Sequence, residues 1–252
     1  MAARGLARSR SHARELIDQR LVRVNGAAAV KAAQQVAPED QLALTDTDPY
    51  VSRAAYKLIG ALDDLGIRVP ERVLDAGAST GGFTQVLLER GSAEVIAIDV
   101  GHDQLHPLLR QDPRVTSYEG QNLRDLDLGL LNGNPVDLVV ADVSFISLTL
   151  LLRPLTSVLT ADGRLLTMIK PQFEVGRERL GKGGVVRTDD LRRTGVRAVI
   201  DAAAGLGWHP QAAAPSRLPG PAGNLEYFVC FQPKSPVPGI ADRLFGDHPT
   251  RR

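Results

Sequence analysis

Val73-Leu74-Asp75-Ala76-Gly77-Ala78-Ser79-Thr80-Gly81-Gly82-Phe83-Thr84 decides the fold of this chain. Apolar β-formers run into a carboxylate, and a turn of small residues follows. Phe83, Val86, Leu87 and Leu88 then keep the spacing of an amphipathic helix. The pattern predicts a buried parallel strand, a nucleotide loop and a helix N-terminus. Gly77, Gly81 and Gly82 let the backbone turn tightly and admit a ligand without meeting a Cβ. Unpaired N–H groups at the helix start can receive a carboxylate or hydroxyls. A dinucleotide loop reads G-x-G-x-x-G; here the spacing is Gly-x-x-x-Gly-Gly, with Asp75 just upstream. A second apolar strand, 95–98, ends in Asp99, where an acid takes ribose hydroxyls. A dinucleotide fold, or a loop with no ligand, stays open on this stretch alone.

Upstream of the loop, residues 50–65 predict a helix with Ser52 as cap, Leu58, Ile59, Leu62 and Leu65 as its apolar stripe, and Gly66 as its stop. A helix that feeds a strand antiparallel to itself begins beside that strand's carboxyl end, so Lys57 looks onto the ligand edge. Downstream, a short helix (104–110) precedes a third strand (115–119). Asn122 just past it is either an adenine-reading amide or a turn residue. Val136-Asp137-Leu138-Val139-Val140-Ala141-Asp142 is a fourth strand with Asp142 at its carboxyl end. A helix over 148–159, kinked at Pro154, leads to a fifth strand, 163–169, ending at Lys170. The Gly-rich, basic stretch 174–188 predicts a mobile loop over the site. A helix (189–206), a weak strand (208–213) and a last strand (224–231) follow, and Pro-rich 233–252 reads as a loose tail. Strands alternating with helices give an α/β class, a Rossmann-like doubly wound sheet with helices on both faces. Asp75, Asp99, Asp142 and Lys170 then lie at its carboxyl edge. Glu226 joins them if the last strand runs antiparallel.

Lys+Arg and Asp+Glu nearly balance, 30 against 29, but unevenly. Residues 1–31 hold Arg4, Arg8, Arg10, Arg14, Arg20, Arg23 and Lys31 against Glu15 and Asp18, a net of +5; with the whole chain at +1, the remainder carries −4. A basic small end on a mildly acidic body points to an anionic polymer, or else to a solvated helix face. Residues 1–46 read as a separate module. Ser9 caps a helix with Ala13, Leu16 and Ile17 at helical spacing. Leu21-Val22-Arg23-Val24 alternates as a strand, and Asn25-Gly26 is a hairpin turn. Cys230, the only cysteine, excludes an intramolecular disulfide and a cysteine-rich metal site and reads as a buried strand thiol. His12, His102, His106, His209 and His248 show no ligand spacing, so no metal is expected. No N-terminal segment resembles a signal peptide. The longest uncharged apolar run, 143–152, has ten residues, where a bilayer span needs about 20.

Helix, hairpin and Arg-rich face, over Gly5 to Leu44, resemble the small RNA-binding module of ribosomal small-subunit protein four. Leu6-Ala7-Arg8-Ser9-Arg10 and Val22-Arg23-Val24-Asn25-Gly26 carry that resemblance. Such modules begin with a further helix, which this chain is expected to lack. The loop around Gly77 resembles the S-adenosylmethionine (SAM) loop of Rossmann-type methyltransferases. Lys57, Asp142, Lys170 and Glu226 resemble the Lys–Asp–Lys–Glu tetrad of FtsJ-like ribose 2′-O-methyltransferases. With the module in front, the chain resembles the TlyA family of rRNA 2′-O-methyltransferases, also known as hemolysins. The stretches that match are 50–58, 75–84, 137–147, Ile169-Lys170-Pro171-Gln172-Phe173-Glu174 and Gly223-Asn224-Leu225-Glu226-Tyr227, within a methyltransferase domain spanning 50–232. Ala54 stands where the family has Gly.

The resemblance implies SAM as cofactor, held by Asp75, Gly77, Ser79, Thr80, Gly81, Gly82, Phe83, Asp99, Asn122 and Asp142. It implies rRNA within ribosomal subunits as partner, with cytidine 2′-OH groups of the large subunit, and of the small subunit as a second candidate, as targets in the cytoplasm. Arg4, Arg8, Arg10, Arg14, Arg20, Arg23, Lys31, Arg53 and Lys182 are the expected RNA contacts. A 2′-OH is a poor nucleophile until its proton leaves. Lys170 is expected to be the base, Asp142 to orient it and face the sulfonium, Lys57 to hold the ribose or phosphate, and Glu226 to orient Lys57 or the hydroxyl. A lysine is a base only when neutral, a state that burial and neighbouring cations favour. Two ordinary salt bridges at a sheet rim are the plain alternative for the four side chains. A membrane-active hemolysin and a small-molecule methyltransferase are the alternative functions.

Overall fold

A computed structural model describes residues 1–7, 9–18, 21–29, 31–44, 48–220 and 222–245. The chain forms two compact units, Met1–Pro49 and Tyr50–Arg252.

In the small unit, Ser9 Oγ accepts from the His12 backbone N–H at 3.1 Å and opens α1 (Arg10–Asp18). Strand β1 (Val22–Val24) pairs antiparallel with β2 (Ala27–Ala28) and β3 (Leu42–Leu44). Asn25 and Gly26 both take positive φ between β1 and β2, as the hairpin requires. Leu16 closes the small core against Ala7, Val22, Val24 and Ala29.

The large unit runs α2 (Ala54–Leu65), β4 (Arg72–Ala76), α3 (Gly82–Glu89), β5 (Glu94–Ile98), α4 (Pro107–Arg110), β6 (Val115–Tyr118), β7 (Val136–Ala141), α5 (Leu152–Ser157), β8 (Leu159–Ile169), α6 (Pro171–Glu174), α7 (Asp189–Ala204), β9 (His209–Pro215), β10 (Tyr227–Gln232) and α8 (Ile240–Leu244). Its sheet has the order β6-β5-β4-β7-β8-β10-β9. The five strands from β6 to β8 are parallel, and β10 runs antiparallel to both β8 and β9. Strand side chains alternate between two cores. Leu74, Ile96 and Val139 pack with Leu152, Val196 and Val199 on one face; Val73, Val95, Leu138 and Val140 pack with Leu58, Leu62, Val86 and Leu87 on the other. Near-continuous burial of β4, β5 and β7 is what a sheet covered on both faces demands.

Helix α2 begins at Ala54 rather than residue 50, β10 begins at Tyr227 rather than 224, and three further local readings change. The helix expected over 148–159 is a 3₁₀ turn, Leu148–Leu150, followed by the short α5. Pro154 lies in the first turn of α5, where its missing N–H has no partner to lose, so it needs no kink. Strand β8 starts at Leu159 rather than Gly163. The expected tail carries α8, which buries Ile240 and Leu244, sets the Phe245 ring 5.0 Å from Tyr227, and pairs Asp242 with Arg197 at 2.6 Å. Residues 246–252 lie outside the described residues. Cys230 is buried in β10, and burial pushes its thiol up to about 11.

Candidate active site

The carboxyl ends of β4, β7 and β8 meet the start of β10 at one rim. Lys57, in the first turn of α2, reaches Glu226 with Nζ 2.6 Å from Oε2. Lys170, one residue past β8, stands with Nζ 2.6 Å from Asp142 Oδ1, one residue past β7. That approach is an ion contact outside hydrogen-bonding angles; the amine's hydrogen bond goes to Ser144 Oγ at 2.7 Å. Lys57, Lys170 and Glu226 are all buried, at 8%, 8% and 3% exposure, so both amines exist here only because each has a carboxylate.

Two cavities share this rim. One of about 220 Å³ is lined by Ser52, Gly77, Ala78, Ser79, Thr80, Gly82, Phe83, Asp142, Ser144 and Lys170. One of about 470 Å³ is walled by Phe145, Gln172, Phe173, Gly183 and Gly184, with Lys170, Ser144 and Glu226 at its edge. Lys170 and Ser144 border both.

The glycine loop is built for close approach. A Cβ on Gly77 would lie 2.6 Å from the Asp142 carbonyl oxygen, and one on Gly82 would lie 2.2 Å from Ser52 Oγ. Ser79 takes φ 48, and its N–H donates to Asp99 Oδ2 at 2.8 Å; the Gly101 N–H donates to Asp99 Oδ1 at 2.7 Å. Asp99 therefore locks two loops together, with the remaining lone pairs of its oxygens open to hydroxyls. Asp75 does not line either cavity. It is fully buried, accepts from Thr84 Oγ1 at 2.7 Å, and leaves Oδ1 without a partner. Burial pushes its carboxyl up to about 7, against the pull of the Thr84 hydrogen bond. The Phe83 ring packs in the core, 6.3 Å from Phe228. Asn122 Oδ1 accepts from the Arg124 N–H at 3.0 Å, capping a 3₁₀ turn, which is the turn role weighed above.

The smaller cavity suits the amino-acid and sulfonium end of SAM. First-turn N–H groups of α3 offer donors for a carboxylate, and Asp142 offers negative charge for a sulfonium. Among the described residues no group of histidine, cysteine and carboxylate side chains could hold a metal.

Sequence reasoning overlooked Phe145 and Asn224. Phe145 is 91% exposed, has φ 66, and stands 5.3 Å from the Phe173 ring. Its sequence gave no signal, because an aromatic in the left-handed region is uncommon. Asn224, 4% exposed, donates from Nδ2 to the Gly184 carbonyl at 3.0 Å and accepts at Oδ1 from the Val186 N–H at 2.9 Å.

The basic residues divide. Arg4 donates to the carbonyls of Asp40, Ala37 and Pro38 at 2.6, 2.8 and 3.0 Å, and Arg23 donates to the Gly26 carbonyl at 2.8 Å, so both hold the small unit together. Arg10, Arg14 and Lys31, together with Arg4, line a groove of about 810 Å³ in that unit with Ala13, Ile17 and Val36. In the large unit Arg53 and Lys182 are exposed. Arg8 and Arg20 lie outside the described residues.

Residues 50–233 match the FtsJ-like methyltransferase family, and residues 1–42 match the S4 domain. The 16S/23S rRNA (cytidine-2′-O)-methyltransferase TlyA of Mycobacterium tuberculosis is 50% identical over 91% of this chain and 86% of its own length. The 23S rRNA (cytidine-2′-O)-methyltransferase TlyA of Campylobacter jejuni is 36% identical over 88% of this chain and 94% of its own. A solved structure of a hemolysin-named protein from Streptococcus thermophilus superposes with a TM-score of 0.79 at 34% identity, covering 94% of this chain and 88% of that one. Both units are matched, and full-length relatives share the order of the parts: the chain belongs to the TlyA family of FtsJ-like methyltransferases.

Proposed function

We propose that this chain methylates the 2′-oxygen of cytidine in ribosomal RNA, with SAM as donor and assembled ribosomal subunits as substrate. The observation that carries the reading is the presence of two amine–carboxylate pairs, Lys57–Glu226 and Lys170–Asp142, at one sheet rim, where Lys170 borders two cavities, Asp142 the smaller and Glu226 the larger. SAM supplies a methyl carbon already activated by its sulfonium. The protein's task is to hold the 2′-OH in line with that carbon and remove its proton. Lys170 takes the proton at Nζ, and Asp142 balances the ammonium that forms. Lys57, fixed by Glu226, holds the ribose or its phosphate. The larger cavity receives the nucleotide, turned out of structured RNA, with the Phe145 ring as a stacking surface. Gly77, Ser79, Thr80, Gly81, Gly82 and Phe83 hold the amino-acid end of SAM through the backbone. Asp75 acts behind them, by fixing the loop through Thr84. Asp99 faces the ribose, and the turn that Asn122 caps lies beside the adenine.

Arg10, Arg14 and Lys31 on the small unit, with Arg53 and Lys182, contact the RNA backbone. No metal is needed, since the methyl carbon requires no Lewis acid. A cytoplasmic setting follows from the substrate. Among the described residues no helix is long and apolar enough to cross a membrane.

Separate unmodified large and small subunits, incubated with methyl-labelled SAM and mapped for blocked 2′ positions, test the reading. Label on a cytidine 2′-oxygen is expected, and its loss in Lys170→Ala with SAM affinity kept. Label on a base or on a ribosomal protein overturns it.

A further inference from the structure

Lys170 has a second neighbour besides the carboxylate that pairs with it. Its Nζ donates to Ser144 Oγ at 2.7 Å. Asp142, two residues earlier on the same loop, stands 2.6 Å from the same nitrogen. A lysine nitrogen is tetrahedral. One corner is bonded to Cε, Ser144 takes the hydrogen at a second, and Asp142 stands beside the amine outside hydrogen-bonding angles. A corner is left for the substrate.

We propose that Ser144 is a positioning residue for Lys170, taking one hydrogen of the amine so that the lone pair turns toward the 2′-OH in the larger cavity. The proposal rests on the reading of Lys170 as the base. In the step it serves, the 2′-oxygen forms a bond to the methyl carbon as the carbon–sulfur bond breaks. The sulfur keeps that electron pair, and the hydroxyl proton passes to Lys170 Nζ. Such a transfer is sensitive to where the lone pair points, and a lysine has rotatable bonds up to its nitrogen.

The loop that carries Ser144 is pinned at both ends, so its hydroxyl has a fixed direction. At one end the Asp142 N–H donates to the Ala76 carbonyl at 3.0 Å. At the other, Glu174 accepts from Ser147 Oγ at 2.6 Å and from the Leu148 N–H at 2.9 Å. Between them Phe145 holds φ 66, a conformation that persists in an aromatic residue only where its surroundings impose it. Ser144 and Lys170 border both cavities, which is where a residue that aims the base between donor and acceptor has to stand.

The test uses the intact chain with Ser144→Thr and Ser144→Val, which share a shape and differ in the hydroxyl. Ser144 is exposed, so neither change opens a core cavity. Threonine is expected to keep kcat within about threefold. Valine is expected to lower kcat by roughly 10- to 100-fold, with KM for the RNA and Kd for SAM unchanged, as a misaimed group does. Equal losses in both variants, full activity of the valine variant, or a loss confined to KM would each overturn the role. Lys170→Ala in the same assay separates the two layers. If that variant is dead while Ser144→Val is fully active, only the Ser144 role falls; if it turns over normally, the base assignment falls first.

Discussion

Lys170 and Glu226 each stand one residue outside the same cross-strand pair, Ile169 opposite Tyr227. Lys170 follows β8, and Glu226 precedes β10. The antiparallel sense of β10 brings them to one rim; a parallel strand in that place would carry Glu226 to the opposite edge. Lys57 then arrives from α2, 169 positions away in the chain, to pair with Glu226. Each amine enters a buried site with its own carboxylate, and the rim stays near neutrality before any substrate comes. An incoming sulfonium therefore meets Asp142 without facing an uncompensated ammonium.

The Lys57–Glu226 pair should be worth much more to stability when broken on one side than when removed whole. Its side chains are 10% and 2% exposed. Glu226→Ala leaves an ammonium buried without a partner, at a cost of about 3–5 kcal/mol. Replacing both, Lys57→Met with Glu226→Leu, is expected to recover most of that, since the desolvation of two charges disappears with them. Urea midpoints of the single and double variants measure the difference. Methyl transfer should be lost in both.

Asp75 gives stability a pH dependence of unusual sign for a carboxylate. Burial raises its folded pKa to about 7. Between the ordinary carboxylate value and 7 the folded state keeps a proton that the unfolded chain has released, so stability falls as pH rises through that window and levels above it. Three units correspond to roughly 4 kcal/mol. Asp75→Asn keeps an oxygen for Thr84 and removes the titration. Its unfolding free energy should be flatter from pH 5 to pH 8, and above wild type at pH 8, in urea melts across that range.

Much of this was legible in the chain because the relevant signals are local. Leu74 and Ile96 announce buried parallel strands, Gly77 to Gly82 announce a ligand loop, and Asn25-Gly26 announces a hairpin. The direction of β10 was legible only as a condition, since strand sense depends on partners distant in sequence. Helix α8 was hidden by flanking prolines and by its length, although Ile240 and Leu244 sit at the i, i+4 spacing of one helical face. Asp75 shows a further limit. Its place at a strand end marks it as near the ligand, but only the packing of Thr84 over it shows that it lies behind the loop. Arg4 and Arg23 read as nucleic-acid contacts by charge, and their carbonyl partners depend on how residues 37–40 and the hairpin fold back.

Phe145 separates function from stability with unusual clarity. Its ring is almost wholly exposed, and its backbone sits in the left-handed region. Removing the ring by Phe145→Ala should leave the thermal midpoint nearly unchanged, because little apolar surface is buried there. Phe145→Gly should raise it, because glycine takes positive φ without a steric penalty. If the ring stacks on the target base, both variants lose affinity for the RNA by about 1–3 kcal/mol, the usual worth of one base–aromatic contact. RNA binding curves set beside melting curves check both halves, and a loss of stability without a loss of binding would contradict them.

Asn224 joins the Gly-rich stretch to the turn before Glu226. Its two side-chain bonds reach the Gly184 carbonyl and the Val186 N–H, and its own carbonyl accepts from the Gly220 N–H at 2.9 Å. Gly183 and Gly184 wall the larger cavity, so this carboxamide sets where that wall stands. Asn224→Ala strips a donor and an acceptor from backbone groups that have no other hydrogen-bond partner among the described residues, about 1–3 kcal/mol of local stability. The segment it holds carries Arg177, Arg179, Lys182 and Arg187, each a tryptic site. Limited trypsin digestion should cut within 177–187 faster in Asn224→Ala than in wild type, and KM for the RNA should rise while SAM affinity holds, because the glycine-loop cavity contains none of these residues. Unchanged cleavage with an unchanged KM would mean that the wall is held by the glycine turns themselves.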